Sequence, residues 1–317
     1  MSTATTRPTH VLRVSDLDAT QLRQLLELAA RMKAEPAGWV DALPAQTLIT
    51  LFEKPSTRTR VSFAAAAHRL GMLPLVLRPD ELQLGRGETI EDTARVLSRF
   101  GAAIVLRTFM QATLERLAAA AAVPVVNALS DDHHPCQALA DLLTVRERFG
   151  ALAGIRLAYV GDGNNVAHSL MEAGALAGMD IAVAAPSGRA PDPAVVARAE
   201  ALASDRGGRI RVTTNPAEAV AGAHVVYTDV WVSMGEEDER ERRLGDLAAY
   251  RVDEALMERA EADAIFMHCL PAHRGQEVAA AVIDGPASAV WDQAENRLPT
   301  EQALVYAVCT GDWEGSR

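Results

Sequence analysis

Apolar positions along the 317-residue chain follow two alternating periods. Leu22, Leu25, Leu26 and the stretch 28–30 fall at helical spacing. With Asp16 or Asp18 placed to cap it, a first helix is predicted to run to Lys33. The unbroken apolar run 47–52 (TLITLF) has the length of a buried strand and stops at Glu53-Lys54-Pro55-Ser56. Helices are predicted at 60–70, 89–100 and 114–122, with strands at 73–77, 102–106 and 123–127. The pattern then restarts with a helix at 137–149 and a strand at 156–160. A Gly161-Asp162-Gly163 turn follows, with a helix to Ala177, a strand at 180–184, a helix at 194–204, and strands at 225–229 and 264–267. Strands alternating with helices predict an α/β fold of two domains, each a parallel sheet with helices on both faces. The restart places the domain boundary inside the helix that begins near Gln137. No sequence repeat accompanies the repeated architecture.

Composition narrows the class. With 49% hydrophobic and 23% charged residues, the chain matches neither a disordered, a collagenous nor a disulfide-stapled protein. A net charge of −11 makes it a poor general partner for nucleic acid or an anionic membrane, although a local arginine cluster can invert the field. The three cysteines, Cys136, Cys269 and Cys309, fit a reducing compartment better than a disulfide framework. The opening MSTATTRPTHVLRVSDL lacks the apolar core of a secretory signal, and no run approaches the ~20 apolar residues of a membrane span. A cytoplasmic protein is expected. The charge run 236–243 (EEDERERR) reads as a solvated loop.

Candidate chemistry gathers at predicted strand ends. Ser56-Thr57-Arg58-Thr59-Arg60 joins a strand to a helix, where free backbone N–H groups and the positive end of the helix dipole attract anions. A plain cap needs one hydroxyl; three hydroxyls and two guanidinia point to phosphate. Without G-x-x-x-x-G-K-[ST], this is not a nucleotide P-loop. Arg107 follows another strand and could reach the same anion, or could be an edge ion pair. His134-Pro135-Cys136-Gln137 also sits between strand and helix, placing a donor for a developing oxyanion beside an amide; a cap with a solvent-exposed His is the plainer reading. Metal binding by Asp131, Asp132, His133 and His134 is disfavoured because consecutive side chains diverge. Gly161-Asp162-Gly163-Asn164-Asn165-Val166 is an imperfect dinucleotide fingerprint with Val166 at its third glycine. It reads as a tight turn whose asparagines can meet a ligand. Asp229 ends a strand, where its carboxylate can hold an ammonium, and Ser233-Met234-Gly235 opens a polar loop. Cys269, in His268-Cys269-Leu270-Pro271, is either a thiolate nucleophile or a buried thiol in a rigid turn.

Together, FEKPSTRTRVSF, HPCQALADLLT, GDGNNVAHSLM, DVWVSMGEE and MHCLPAHRGQEV resemble the ornithine carbamoyltransferases. Their order covers nearly the whole chain, from VSDLDATQLRQLLELAARMK to AENRLPTEQAL. STRTR and HPCQ alone indicate the wider aspartate and ornithine carbamoyltransferase family; SMG with HCLP narrows the resemblance to the ornithine branch. The resemblance implies a carbamoyl-phosphate domain over 1–139, an ornithine domain over 140–299, and a terminal helix, 300–317, packing back on the first domain. It also implies a homotrimer, or a multiple of trimers, with each site completed by a neighbour. By matching positions, phosphate lies on Ser56, Thr57, Arg58, Thr59 and Arg107. The carbamoyl group is held by His134, Gln137, Cys269, Leu270 and Arg297, and Gln83 reaches in from the adjacent subunit. Ornithine is held by Asn165, Asp229, Ser233 and Met234. The departures are Ala64, where the family often has Glu, and Pro299-Thr300-Glu301 after Arg297.

The implied reaction is attack of a neutral δ-amine of L-ornithine on carbamoyl phosphate, giving citrulline and phosphate. Arg58, Arg107, His134 and Cys269 form the catalytic set, and neither metal nor cofactor is required. A carbamoyltransferase for putrescine or an N-acylated ornithine is the near alternative, and Ser233-Met234-Gly235 argues against it. An NAD-dependent oxidoreductase would rest on the Gly161 turn, and a non-enzymatic ligand-binding protein would leave His134, Cys269 and Asp229 without a common purpose.

Overall fold

The structure is a computed structural model that describes residues 9–78, 80, 82–83, 87–232 and 237–316, with only the backbone of 237. The chain forms two compact units, one of residues 1–136 with 297–317 and the other of residues 137–296.

The first unit begins with helix α1 (Ala19–Ala34). Of the two candidate caps, Asp18 serves: its carboxylate accepts from the Gln21 amide at 2.8 Å while the Gln21 side chain accepts from the Asp18 amide at 3.0 Å. Strand β1 (Thr47–Phe52), helix α2 (Thr57–Arg69), β2 (Leu73–Leu77), α3 (Ile90–Leu97), β3 (Ala103–Arg107), α4 (Gln111–Ala120) and β4 (Val125–Leu129) follow. All four strands are parallel, in the order β2-β1-β3-β4. Ile49, Leu51, Ile104 and Leu106 pack one face against Ile90 and Ala94 of α3 and Leu114 and Leu117 of α4. Leu48, Val105 and Val126, on the opposite face, are buried as well. Pro74, which cannot donate to a ladder, lies in the edge strand β2.

In the second unit, β5 (Arg156–Val160), β6 (Asp180–Ala184), β7 (Arg209–Thr213), β8 (Val225–Thr228) and β9 (Ile265–His268) form a parallel sheet in the order β7-β6-β5-β8-β9. Around it lie α6 (Asn165–Leu176), α7 (Pro193–Ser204), α8 (Pro216–Val220), α9 (Arg240–Leu247), α10 (Glu254–Met257) and α11 (Ala280–Ile283). Ala158, Val160, Val226 and Phe266 share a core with Trp231, Tyr250, Val282 and Val290. Two helices carry the chain from one unit to the other, α5 (Pro135–Phe149) and α12 (Val290–Thr310). Among the described residues, no helix is long and apolar enough to cross a membrane.

Some boundaries differ from expectation for tertiary reasons. Helix α4 starts at Gln111 rather than 114 because Asp131, from beyond β4, accepts the Gln111 amide at 2.9 Å. Strand β4 reaches Leu129 because its pairing with β3 skips Ala128: Leu106 aligns with Asn127, and Arg107 with Leu129. Strand β7 was not predicted. It is a polar edge strand whose apolar positions, Ile210 and Val212, alternate with arginines.

Candidate functional site

In the first unit the expected turn 56–60 is itself the start of a helix. Ser56 is the N-cap of α2, its Oγ accepting from the Thr59 amide at 3.3 Å, so Thr57, Arg58 and Thr59 occupy the first turn. This helix of 13 residues presents its positive end at the carboxyl edge of the sheet. Arg107 ends β3 in register with Phe52 of β1, and the β4 irregularity falls beside it. Arg297, 3% exposed, donates through Nη2 to Thr59 Oγ1 at 3.2 Å. Through Nε and Nη2 it also holds one oxygen of buried Glu301, at 2.9 and 2.6 Å. Helix α12 thus continues through Pro299, and the departure after Arg297 supplies that arginine with a carboxylate partner. Burial pushes the Glu301 carboxyl above its ordinary value, opposed by Arg297 and by a bond from Ser62.

His134 lies within the field of this cluster. Its burial, then the guanidinia of Arg297, Arg107 and Arg58, hold its pKa well below the ordinary histidine value. The ring is therefore neutral at pH 7 and offers a single N–H, the form suited to donating to an oxyanion. Three arginines, one of them paired to Glu301, and a helix N-terminus make a positive site in an acidic chain.

In the second unit, β8 and β9 align Thr228 with His268, so Asp229 and Cys269 emerge side by side beyond the sheet. The Cys269 thiol donates to Asp229 Oδ1 at 2.9 Å, and Asn164 Nδ2 donates to Asp229 Oδ2 at 2.9 Å. Asn164 also caps α6, its Oδ1 accepting from the Val166 and Ala167 amides and from the Tyr159 hydroxyl. Burial raises the Tyr159 pKa well above its usual value and keeps that hydroxyl a donor. The neighbouring Asn165 is half-buried in the first turn of α6. Gly163 is required by packing: a Cβ there would meet Pro191 N at 2.3 Å. Protein backbone thus stands where a dinucleotide phosphate would approach, which removes the basis of the oxidoreductase reading.

The Cys269–Leu270 turn is pinned from behind. Leu270, at φ 59°, donates its amide to His268 Nδ1 at 2.9 Å, and His268 Nε2 faces the buried Glu277 carboxylate at 3.4 Å. Asp229, His268 and Cys269 bring potential metal-ligand atoms within 4.8 Å of one another. Of the imidazole nitrogens, Nδ1 is already engaged by the Leu270 amide. Gln137 begins this unit on α5, 2% exposed, with Nε2 donating to Asp141 Oδ1 at 2.8 Å. Gln83 is exposed in the segment after β2. Ser233 and Met234 lie outside the described residues.

The expected carbamoyl set, His134, Gln137, Cys269, Leu270 and Arg297, is divided between the units: His134 and Arg297 lie with Arg58 and Arg107 in the first, and Cys269, Leu270 and Gln137 with Asp229 in the second. Sequence reasoning missed Asn164 as the group orienting Asp229, and Asp141 and Glu301 as the partners of Gln137 and Arg297. For the last two the signal was helical spacing of four residues.

Residues 9–147 match the family model "Aspartate/ornithine carbamoyltransferase, carbamoyl-P binding domain", and residues 153–308 match "Aspartate/ornithine carbamoyltransferase, Asp/Orn binding domain". An ornithine carbamoyltransferase of Acidothermus cellulolyticus is 55% identical over 296 residues, 93% of this chain and 95% of that protein. Among solved structures, the ornithine carbamoyltransferase from Pyrococcus furiosus superposes with TM-score 0.92 at 48% identity, covering 96% of this chain and 98% of that one. The Gloeobacter violaceus enzyme gives TM-score 0.86 at 47% identity over 96% and 99%.

Proposed function

The chain belongs to the aspartate/ornithine carbamoyltransferase family, and from that premise we propose that it transfers the carbamoyl group of carbamoyl phosphate to the δ-amine of L-ornithine, giving L-citrulline and phosphate. The observation that carries the reading is the convergence of Arg58, Arg107 and Arg297 on a neutral, buried His134 beside the N-terminus of α2. That arrangement suits an anionic, activated acyl donor. The names of relatives about half identical to the chain support ornithine as acceptor.

The first turn of α2, with Ser56, Thr57, Arg58 and Thr59, and Arg107 receive the phosphate. Asp229, oriented by Asn164, holds the α-ammonium of ornithine, with Asn165, Ser233 and Met234 beside it. The neutral δ-amine attacks the carbamoyl carbon. As the C–N bond forms, charge grows on the carbonyl oxygen, where Arg58, Arg107 and the His134 N–H stabilise it. The C–O bond to phosphate then breaks, the nitrogen passes a proton to the departing phosphate, and phosphate leaves with its charge already matched. Cys269 positions the amine, and no covalent enzyme intermediate, metal or cofactor takes part. Assembly as a trimer, with Gln83 reaching into a neighbouring copy, belongs to the same proposal. So does a cytoplasmic location, which the free thiols support.

The test is product analysis with carbamoyl phosphate and L-ornithine, putrescine or N-acetylornithine in turn. Citrulline is the expected product; carbamoylation of either other amine with no citrulline would overturn the acceptor assignment.

A further inference from the structure

In the first unit a buried polar cluster immediately precedes His134, and the direction of its hydrogen bonds can be fixed from one end. Residues 10–12 run beside β4: Val11 donates its amide to the Val125 carbonyl at 2.9 Å and accepts from the Asn127 amide at 2.8 Å. The Leu12 carbonyl can only accept, and it takes Asn127 Nδ2 at 2.8 Å, which orients that side-chain amide. Asn127 Nδ2 also donates to Ser130 Oγ at 3.1 Å. The His133 backbone N–H, a donor only, reaches the same Oγ at 3.1 Å. Ser130 Oγ thus accepts twice, and its single proton goes to Gln111 Oε1 at 2.5 Å. The Ser130 amide in turn donates to the His133 carbonyl at 2.9 Å. Residues 130 and 133 are tied in both directions, once through backbone alone and once through the hydroxyl. Asn127, Ser130, Gln111 and His133 are all buried, whereas the tip of the turn, Asp131 and Asp132, is exposed. The shape of the turn therefore rests on these hydrogen bonds rather than on packed side chains at its tip.

We propose that Ser130 is a positioning residue for His134: its hydroxyl, oriented by Asn127 and Gln111, closes the 130–133 turn and so fixes where the His134 backbone begins. The inference rests on the function proposed above. His134 contributes one N–H from a neutral ring, and such a donor stabilises an oxyanion only where its position is set in advance. Removing the hydroxyl takes the acceptor from the buried His133 N–H, and the backbone has to shift to replace it. That shift falls one residue before His134. The groups that receive phosphate, the first turn of α2 and Arg107, lie on other elements of the sheet edge and keep their own supports. A serine that only filled the interior would cost stability and leave turnover of the folded enzyme as it was.

The experiment measures kcat with carbamoyl phosphate and L-ornithine, the inhibition constant of inorganic phosphate, and urea stability, in the parent, Ser130→Ala and Ser130→Thr. Ser130→Ala is expected to lower kcat roughly 10–100-fold, with the phosphate inhibition constant within about twofold of the parent. Ser130→Thr keeps the hydroxyl and should recover most of the parent kcat. In NMR, the His134 ring signals should move in the alanine variant and stay near the parent positions in the threonine variant. An unchanged kcat in Ser130→Ala, a proportional loss of turnover and phosphate binding, or a threonine variant as impaired as the alanine one overturns the inference. If Ser130→Ala does not fold, Gln111→Met decides, because it removes the acceptor that orients the hydroxyl: a fall in kcat with phosphate inhibition retained supports the role, and parent-like turnover refutes it. A parent that forms no citrulline sinks the proposed function, whereas an active parent with an indifferent alanine variant sinks only this inference.

Discussion

His134 illustrates how a residue's chemistry is set by its neighbours. Burial and three guanidinia make its cationic form unfavourable, so the ring is a neutral donor. The linkage has a definite sign. Unfolded, the imidazole takes up a proton near 6.5; folded, it does so only well below that value. As pH falls from 6.5 toward the folded value, the unfolded chain binds more protons and stability declines. The His134 ring signals in NMR should stay flat through pH 6.5, and titration there would contradict the assignment. Arg58 and Arg60 give a second residue-level prediction. Arg58 is half-buried in the first turn and belongs to the field around His134, whereas Arg60 is exposed. Arg58→Ala should lower turnover roughly 100–1000-fold, as loss of an oxyanion donor does, with Arg60→Ala close to the parent. Equal small losses in steady-state assays would dismiss the anion role.

At the scale of elements, helix ends and strand ends do the placing. Helix α2 begins where Ser56 caps it, and that cap sets which side chains crown the dipole. Helix α12 carries Arg297 and, one turn later, Glu301, with both side chains buried. Removing one member of a buried ion pair leaves the other charge uncompensated, so Glu301→Leu should destabilise the protein by about 3–5 kcal/mol. Glu301→Gln keeps an oxygen for the Arg297 fork and should cost far less. Urea unfolding of the two variants measures the difference, and equal stabilities would show that the pair does not hold Arg297.

At the scale of the whole molecule, the chain divides into two units: the arginines around His134 belong to the first, and the Asp229 carboxylate with the Cys269 thiol to the second. Gln83, exposed on a single protomer, acquires a role only if copies share sites. Mixing inactive Arg58→Ala and Gln83→Ala subunits, dissociated and reassembled together, should restore up to about a quarter of the parent activity, because random closed trimers rebuild that share of intact sites. No recovery in the mixture would confine each site to one subunit.

The alternation of apolar periods alone determined two parallel-sheet domains, and residue types at strand ends marked the 56–60 turn, Arg107, His134, Asp229 and Cys269 as candidates one by one. Both are local: a strand's own residues dictate its burial, and the residue after it necessarily lies at the sheet's carboxyl edge. Contacts between distant segments were decided only by the tertiary structure. The start of α4 depends on Asp131, 20 positions away, and the register at Arg107 on a skip opposite Ala128. Edge strand β7, with arginine at two of its five positions, became a strand through pairing with β6. Asp141 meets Gln293 across 152 positions, and Arg297 meets Thr59 across 238. Hydrophobic periodicity records which face of an element is buried but carries no trace of which polar atom waits there, so the orientation of Gln137 and of Arg297 emerged only once the chain had folded.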